Sequence, residues 1–136
     1  MMLSRRAASS YGDVMVESGV SEADQTQLIQ MLLDGLIESL TFAEGHINRK
    51  AIAEKSLHIT RATRIVLGLQ SALDYEKGGD IAKNLNELYG YVTRRLIHIN
   101  VNNDIEALRE IRGLIAQIRE AWILVPSLTK PKLRVM

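Results

Sequence analysis

The segment LDYEKGGDIAKNL, residues 73–85, sets two adjacent glycines among charged side chains. Such a loop holds a phosphate when it follows a strand in the pattern G-x-x-x-x-G-K-[ST], because backbone N–H groups, a lysine and a hydroxyl then act together. Here Lys77 precedes Gly78 and Gly79, and the flanking residues have helical periodicity. The segment therefore favours a turn, with a glycine in a left-handed conformation ending one helix and Asp80 at the start of the next.

The three histidines are the next residues that could bind a metal or take part in catalysis. A di-iron site in a helical bundle needs Glu-x-x-His pairs, and none of His46, His58 and His98 has a glutamate three residues before it. Phosphotransfer bundles expose one histidine, usually followed at the third and fourth positions by lysine and glycine. His58 is followed by Ile-Thr-Arg-Ala and His98 by Ile-Asn-Val-Asn. We therefore expect no catalytic residue, metal or other cofactor, and keep histidine phosphotransfer as an alternative.

Composition argues against several further classes. The 136 residues carry 17 basic and 16 acidic side chains, and the arginine pairs 61/64 and 94/95 have no interleaved aromatics, so nucleic-acid binding is not indicated. The absence of cysteine excludes disulfides and thiol catalysis and fits a reducing compartment. The longest strictly apolar run, residues 121–125, is far shorter than the roughly 20 residues that span a membrane. We expect a cytosolic protein without membrane insertion.

Four apolar stripes predict the elements that position these residues. They occupy the proline-free span up to residue 125 and repeat at steps of three and four: 28–47, 52–73, 81–99 and 105–125. The connections around residues 48–50, 74–79 and 102–104 are short, which makes consecutive helices antiparallel neighbours. The prediction is an all-α, antiparallel up-down-up-down four-helix bundle over residues 21–125.

The ends of the chain are predicted separately. Asp24 is the predicted N-cap of the first helix, with Gln27 three residues on as in a capping box. Residues 1–20 form an N-terminal segment expected to pack on the bundle and able to cover a binding groove. Residues 126–136 contain both prolines and read as a mobile basic tail.

Apolar side chains exceed what four core stripes need. On the first helix they cover about half the circumference, and Met31 widens that arc. Elsewhere six apolar residues fall off the stripes and are predicted to be partly exposed: Leu57, Leu67, Ile97, Val101, Ile105 and Ile123. Either the terminal segments cover this surface, with Tyr11 and Val14 as anchors, or it forms a groove for an apolar helix of a partner.

Several separated blocks resemble one known family. They are LDYEKGGDIAKNLNELYGYVTRRLIHINVNND at residues 73–104, LIQMLLDG at 28–35, Tyr11 with Val14, and the Ala-Trp pair at 121–122. Together they resemble the flagellin-specific export chaperones of bacterial flagella, the FliS family. The resemblance extends over roughly residues 11–122 and implies a four-helix bundle that is not an enzyme.

The resemblance also implies a function. Family members bind the C-terminal segment of unassembled flagellin in the cytosol, prevent premature polymerisation and help deliver it to the type III export apparatus; the export gate and regulatory proteins are implied as further partners. In members of that family, an N-terminal segment that contains a tyrosine can cover part of the surface that binds flagellin. The predicted partner-binding residues are Tyr11, Asn84, Tyr89 and Arg95 from the resemblance, Val14 beside Tyr11, and Leu57, Leu67, Ile97 and Ile123 from their off-stripe positions. The alternatives are a histidine phosphotransfer bundle and a general helical adaptor.

Overall fold

The computed structural model describes the backbone of residues 22–135 and the side chains of residues 24–124. Within that range the elements are four helices: α1 Glu22–Asn48, α2 Ile52–Ser71, α3 Tyr75–Asn102 and α4 Ile105–Val135. The N-terminal segment with Tyr11 and Val14 lies outside the described residues, so its packing on the bundle stays a prediction. None of the helices described has a stretch both long and apolar enough to cross a lipid bilayer.

The helices form a four-helix bundle in the order of the chain. Helix α1 contacts α2 and α4, α3 contacts the same two helices, and the diagonal pairs do not meet within the described residues. Ion pairs fix the direction of α4 against α1, because Glu44 bonds Arg109 and Arg112 near one end while Asp34 bonds Arg119 further along. The predicted all-α, antiparallel four-helix bundle is confirmed.

The four stripes meet in one core, as predicted. Its fully buried side chains include Leu36, Leu40, Val66, Val92, Leu96, Leu108, Ile111 and Ile115. The prediction was wrong at the start of two stripes. Ile52 of α2 is 53% exposed, and at the start of α3 Ile81 is 70% exposed while the small Ala82 is buried instead. The buried face of α3 follows residues 82, 85, 89, 92, 96 and 99, a regular alternation of three and four residues. Ala82 takes the inward position because the helical phase, not side-chain size, decides which residue faces the core.

The helix ends differ from the prediction at two places. Helix α1 already includes Glu22, so Asp24 lies inside its first turn and is not the N-cap. A carboxylate in the first turn is still stabilising, because it lies near the positive end of the helix dipole. Helix α4 continues past Pro126 to Val135, and the mobility of residues 126–136 stays a prediction.

The turn between α2 and α3 lies earlier than predicted, at residues 72–74. Asp74 caps α3, since its carboxylate accepts a hydrogen bond from the Lys77 N–H at 3.0 Å. After one helical turn, Gly79 interrupts α3 with φ 50° and ψ −123°. The predicted positive φ is confirmed at Gly79, although this glycine follows the first turn of α3 and does not end α2. Asp80 begins the longer helical stretch of α3 after the kink, as predicted.

Replacing Gly79 by alanine is expected to lower the free energy of unfolding by about 1–3 kcal/mol. No atom lies within 4 Å of the added Cβ, so the cost is that of forcing a side chain into this left-handed backbone conformation. Gly113→Ala is the matched control, because its Cβ also meets nothing within 4 Å but the site is an ordinary helical one. That variant should gain about 0.5–1 kcal/mol. Urea unfolding measures both, and equal stability of the two variants would contradict the strain at Gly79.

Candidate partner-binding groove between helices α2 and α3

A groove of about 580 Å³ runs between α2 and α3. Leu67 of α2 and Ile97 of α3 both line it, and their side chains are 51% and 62% exposed. Its full lining is Ile59, Thr60, Thr63, Arg64, Leu67, Gly68, Ser71, Leu96, Ile97 and Asn100. The structure thus brings two of the predicted site residues, far apart in sequence, into one concave surface.

Small side chains on α2 leave space for the groove between the two helices. Gly68 has no side chain, and the Thr63 hydroxyl is turned back to donate to the Ile59 carbonyl of its own helix at 2.9 Å. Cross-links between the helices lie towards their ends. Gln70 Nε2 donates to Asn86 Oδ1 at 3.0 Å, and Ser56 Oγ donates to Asn100 Oδ1 at 3.2 Å. Between these cross-links, the buried Ile59 and Leu96 form part of the groove lining, and Leu67 and Ile97 stay exposed.

The other predicted apolar site residues, Leu57 and Ile123, do not line the groove. Leu57 is on α2, and Ile123 belongs to α4, which does not contact α2 within the described residues. Both are exposed, as is the off-stripe Val101 of α3, so the predicted exposure is confirmed for all three. Their roles in partner binding stay predictions.

Of the four site residues taken from the family resemblance, the three within the described residues lie on different faces of α3. Asn84 is exposed and outside the groove. Tyr89 is 3% exposed within the core, and burial raises its pKa to about 12. Arg95 faces α4, where its Nε lies 3.7 Å from Glu110 Oε1. The structure does not bring these residues together, and their partner-binding roles stay predictions.

Sequence reasoning missed the polar part of the groove. Thr60, Thr63 and Ser71 line it together with Asn100. With Leu67, the three α2 residues recur at steps of three, four and four, so they share one helix face. A stripe of small residues beside an off-stripe leucine was the signal that could have located the groove.

The histidines are engaged in local contacts. The His98 ring is held on both nitrogens, since Nε2 bonds Asp104 Oδ2 at 2.9 Å and Nδ1 accepts from the Asn102 amide at 3.1 Å. Neither nitrogen is free to attack a phosphoryl group, which argues against phosphotransfer at this residue. In the part of the chain that the structure describes, no cluster of three or more histidine and acidic side chains could hold a metal ion.

His58 lies between two other rings, with its centroid 5.1 Å from those of Phe42 and His46. Burial lowers the pKa of His58, and the charges of His46 and Arg61 lower it further. The folded protein therefore takes up a proton here at lower pH than the unfolded chain does. Protonation of this imidazole opposes folding.

Lowering the pH from 7.5 to 5.5 is expected to reduce the stability of the wild type, in part through His58. As the pH falls through about 6.5, the unfolded state binds this proton first, so the free energy of unfolding decreases. Urea unfolding across this range should show a smaller loss in His58→Gln than in the wild type. The same pH slope in both proteins would contradict the proposed origin.

The chain is similar to known flagellar proteins along most of its length. Residues 7–128, which contain all of α2 and α3, match the family described as flagellar protein FliS. The chain is 41% identical over 122 residues to the flagellar secretion chaperone FliS of Salmonella typhimurium, covering 89% of this chain and 90% of that protein. It is 39% identical over 121 residues to the flagellar secretion chaperone FliSB of Pseudomonas aeruginosa, covering 89% and 96%. It is 34% identical over 131 residues to FliS of Escherichia coli, covering 93% and 96%.

Proposed function

Because this chain belongs to the FliS family of flagellar secretion chaperones, we propose that it binds the C-terminal segment of unassembled flagellin in the cytosol. Binding prevents premature polymerisation of flagellin and helps to deliver it to the flagellar type III export apparatus. The observation that supports this proposal is the α2–α3 groove, where Leu67 and Ile97 stay half exposed in a concave surface. Such a surface suits an amphipathic partner helix.

The chemistry of the groove supports reversible capture. Covering Leu67 and Ile97 removes apolar surface from water, worth about 25 cal/mol per Å². Thr60 and Asn100 supply hydroxyl and amide groups that can orient the bound segment. Ordering a flexible segment costs about 2–5 kcal/mol or more, which offsets part of that gain. The complex is therefore one that can come apart at the export apparatus.

A peptide carrying the C-terminal region of the cognate flagellin is expected to bind the full chain with one-to-one stoichiometry. Titration calorimetry at micromolar concentrations measures this, with a scrambled peptide of the same composition as the control. Failure of the native sequence to bind better than the scrambled one would remove the proposed function.

We propose further that residues 1–16 act as a displaceable cover of the groove, with Tyr11 and Val14 as its anchors. Deleting these residues should change either the affinity or the association rate for the flagellin peptide, since the peptide no longer has to displace them. If neither changes, the proposal that residues 1–16 cover the groove is wrong, while the proposed chaperone function still stands.

A further inference from the structure

Lys55, in the first turn of α2, is the one charged side chain buried within the described part of the chain, at 3% exposure. Its ammonium nitrogen, Nζ, donates to the Asn100 carbonyl oxygen at 2.7 Å and to Asn103 Oδ1 at 2.8 Å. Both acceptors belong to the C-terminal end of α3. The lysine therefore joins the beginning of one groove helix to the end of the other.

The site at the end of α3 explains how a buried ammonium is tolerated. Burying a charge is costly unless it finds hydrogen-bond partners. The last carbonyls of a helix lack intrahelical partners and carry the negative end of its dipole, so a cation is favourable there. Asn103 is the C-cap of α3, in the left-handed conformation with φ 54°, and this turn brings its side chain to Lys55.

The same contacts reach the wall of the groove. Asn100 lines the groove together with Ile97, three residues earlier on the same face of α3. The α2 helix holds Asn100 twice, through the Lys55 bond to its carbonyl and through the Ser56 bond to its side chain. These bonds therefore tie α2 to α3 one helical turn beyond Ile97.

We propose that Lys55 is a positioning residue for partner binding: by holding Asn100 and Asn103, it sets the spacing of α2 and α3 at the end of the groove that contains Ile97. The identity of the bound segment rests on the proposed function, whereas the helix spacing is a property of the free chain. A lysine that only capped α3 would affect stability without changing the groove.

The helix spacing can be measured without any partner. The chain contains no cysteine, so spin labels on Ala53→Cys of α2 and Arg94→Cys of α3 are the only ones present. Both residues are exposed and neither lines the groove. Lys55→Met, which keeps most of the unbranched apolar stem but removes the donors, should broaden the electron-resonance distance distribution and shift it to longer distances. An unchanged distribution would overturn the inference.

Binding of the C-terminal flagellin peptide supplies the second measurement. In calorimetry, Lys55→Met should weaken binding roughly tenfold, the effect of losing a buried hydrogen bond to a charged group. Ile115→Val, a core change on α4 away from the groove, is the control for lost stability. It should lower the melting temperature without lowering the affinity or altering the label distance.

The remaining outcomes separate the inference from the proposed function. If Lys55→Met does not fold, Asn103→Gly is the second variant, because it removes one acceptor of Lys55 and still allows the left-handed backbone at residue 103. It should give a smaller shift in the label distance and a smaller loss of peptide affinity. If the wild type does not bind the peptide, the proposed function fails and the label distances alone decide the role of Lys55. An affinity loss in Ile115→Val equal to that in Lys55→Met would also overturn the positioning role.

Discussion

Replacing Ile97 by aspartate is expected to weaken binding of the C-terminal flagellin peptide by about hundredfold or more. Ile97 is 62% exposed in the free chain, so the substitution removes little packing within the bundle. In the complex it would remove an apolar contact at the groove and place a carboxylate against the apolar face of the partner. Losing a central apolar contact typically costs 2 kcal/mol or more, and burying an unpaired charge adds to that cost. Titration calorimetry gives the ratio of dissociation constants.

Ile81→Asp is the matched control for that substitution. Ile81 is the same residue type on the same helix, it is 70% exposed, and it does not line the groove. Its variant should bind the peptide with nearly the affinity of the wild type. Circular dichroism should show that both variants keep the helical content of the wild type. Equal losses of affinity in the two variants, or none at Ile97, would show that the α2–α3 groove is not the binding surface.

Replacing Leu36 by alanine is expected to lower the free energy of unfolding by about 3–5 kcal/mol. Leu36 lies in the middle of α1 and is fully buried in the core. The smaller side chain loses its apolar contacts and leaves a cavity that the surrounding helices can close only in part. Urea unfolding followed by circular dichroism measures the change as a lower midpoint.

Met31→Ala provides the comparison on the same helix. Met31 is half exposed, so its truncation leaves no internal cavity, and the expected change is within about 0.5 kcal/mol, as for ordinary surface sites. Similar losses at both positions would mean that α1 does not bury the face described. A small loss at Leu36 would mean that the core is not closely packed around it.

The two helix pairs that α2 forms differ in the side chains that join them. Helices α1 and α2 are joined by Arg61, which donates to Glu38 and to the buried Ser39 hydroxyl. Helices α2 and α3 have hydroxyl groups and Gly68 along the groove, with hydrogen bonds from Ser56 to Asn100 and from Gln70 to Asn86.

The number, order and direction of the helices, and most of the core, could be predicted from the sequence. Leu36, Val92 and Leu108 could be placed inside because helical periodicity is a local property that fixes which residues share a face. Proline placement and short connections then made consecutive helices antiparallel. The family resemblance likewise needed no structure, because it depended on the order and spacing of residues along the chain.

The position of the groove and the bonds at its end became visible only when the helices were seen packed together. Periodicity marked Leu67, Ile97 and Ile123 as off-stripe, but it could not tell that the first two share a groove while Ile123 lies outside it. It gave no sign that Lys55 is buried against the end of α3, since that depends on contacts between residues 45 and 48 positions apart. Such contacts depend on the rotation and spacing of whole helices, which all four interfaces set together.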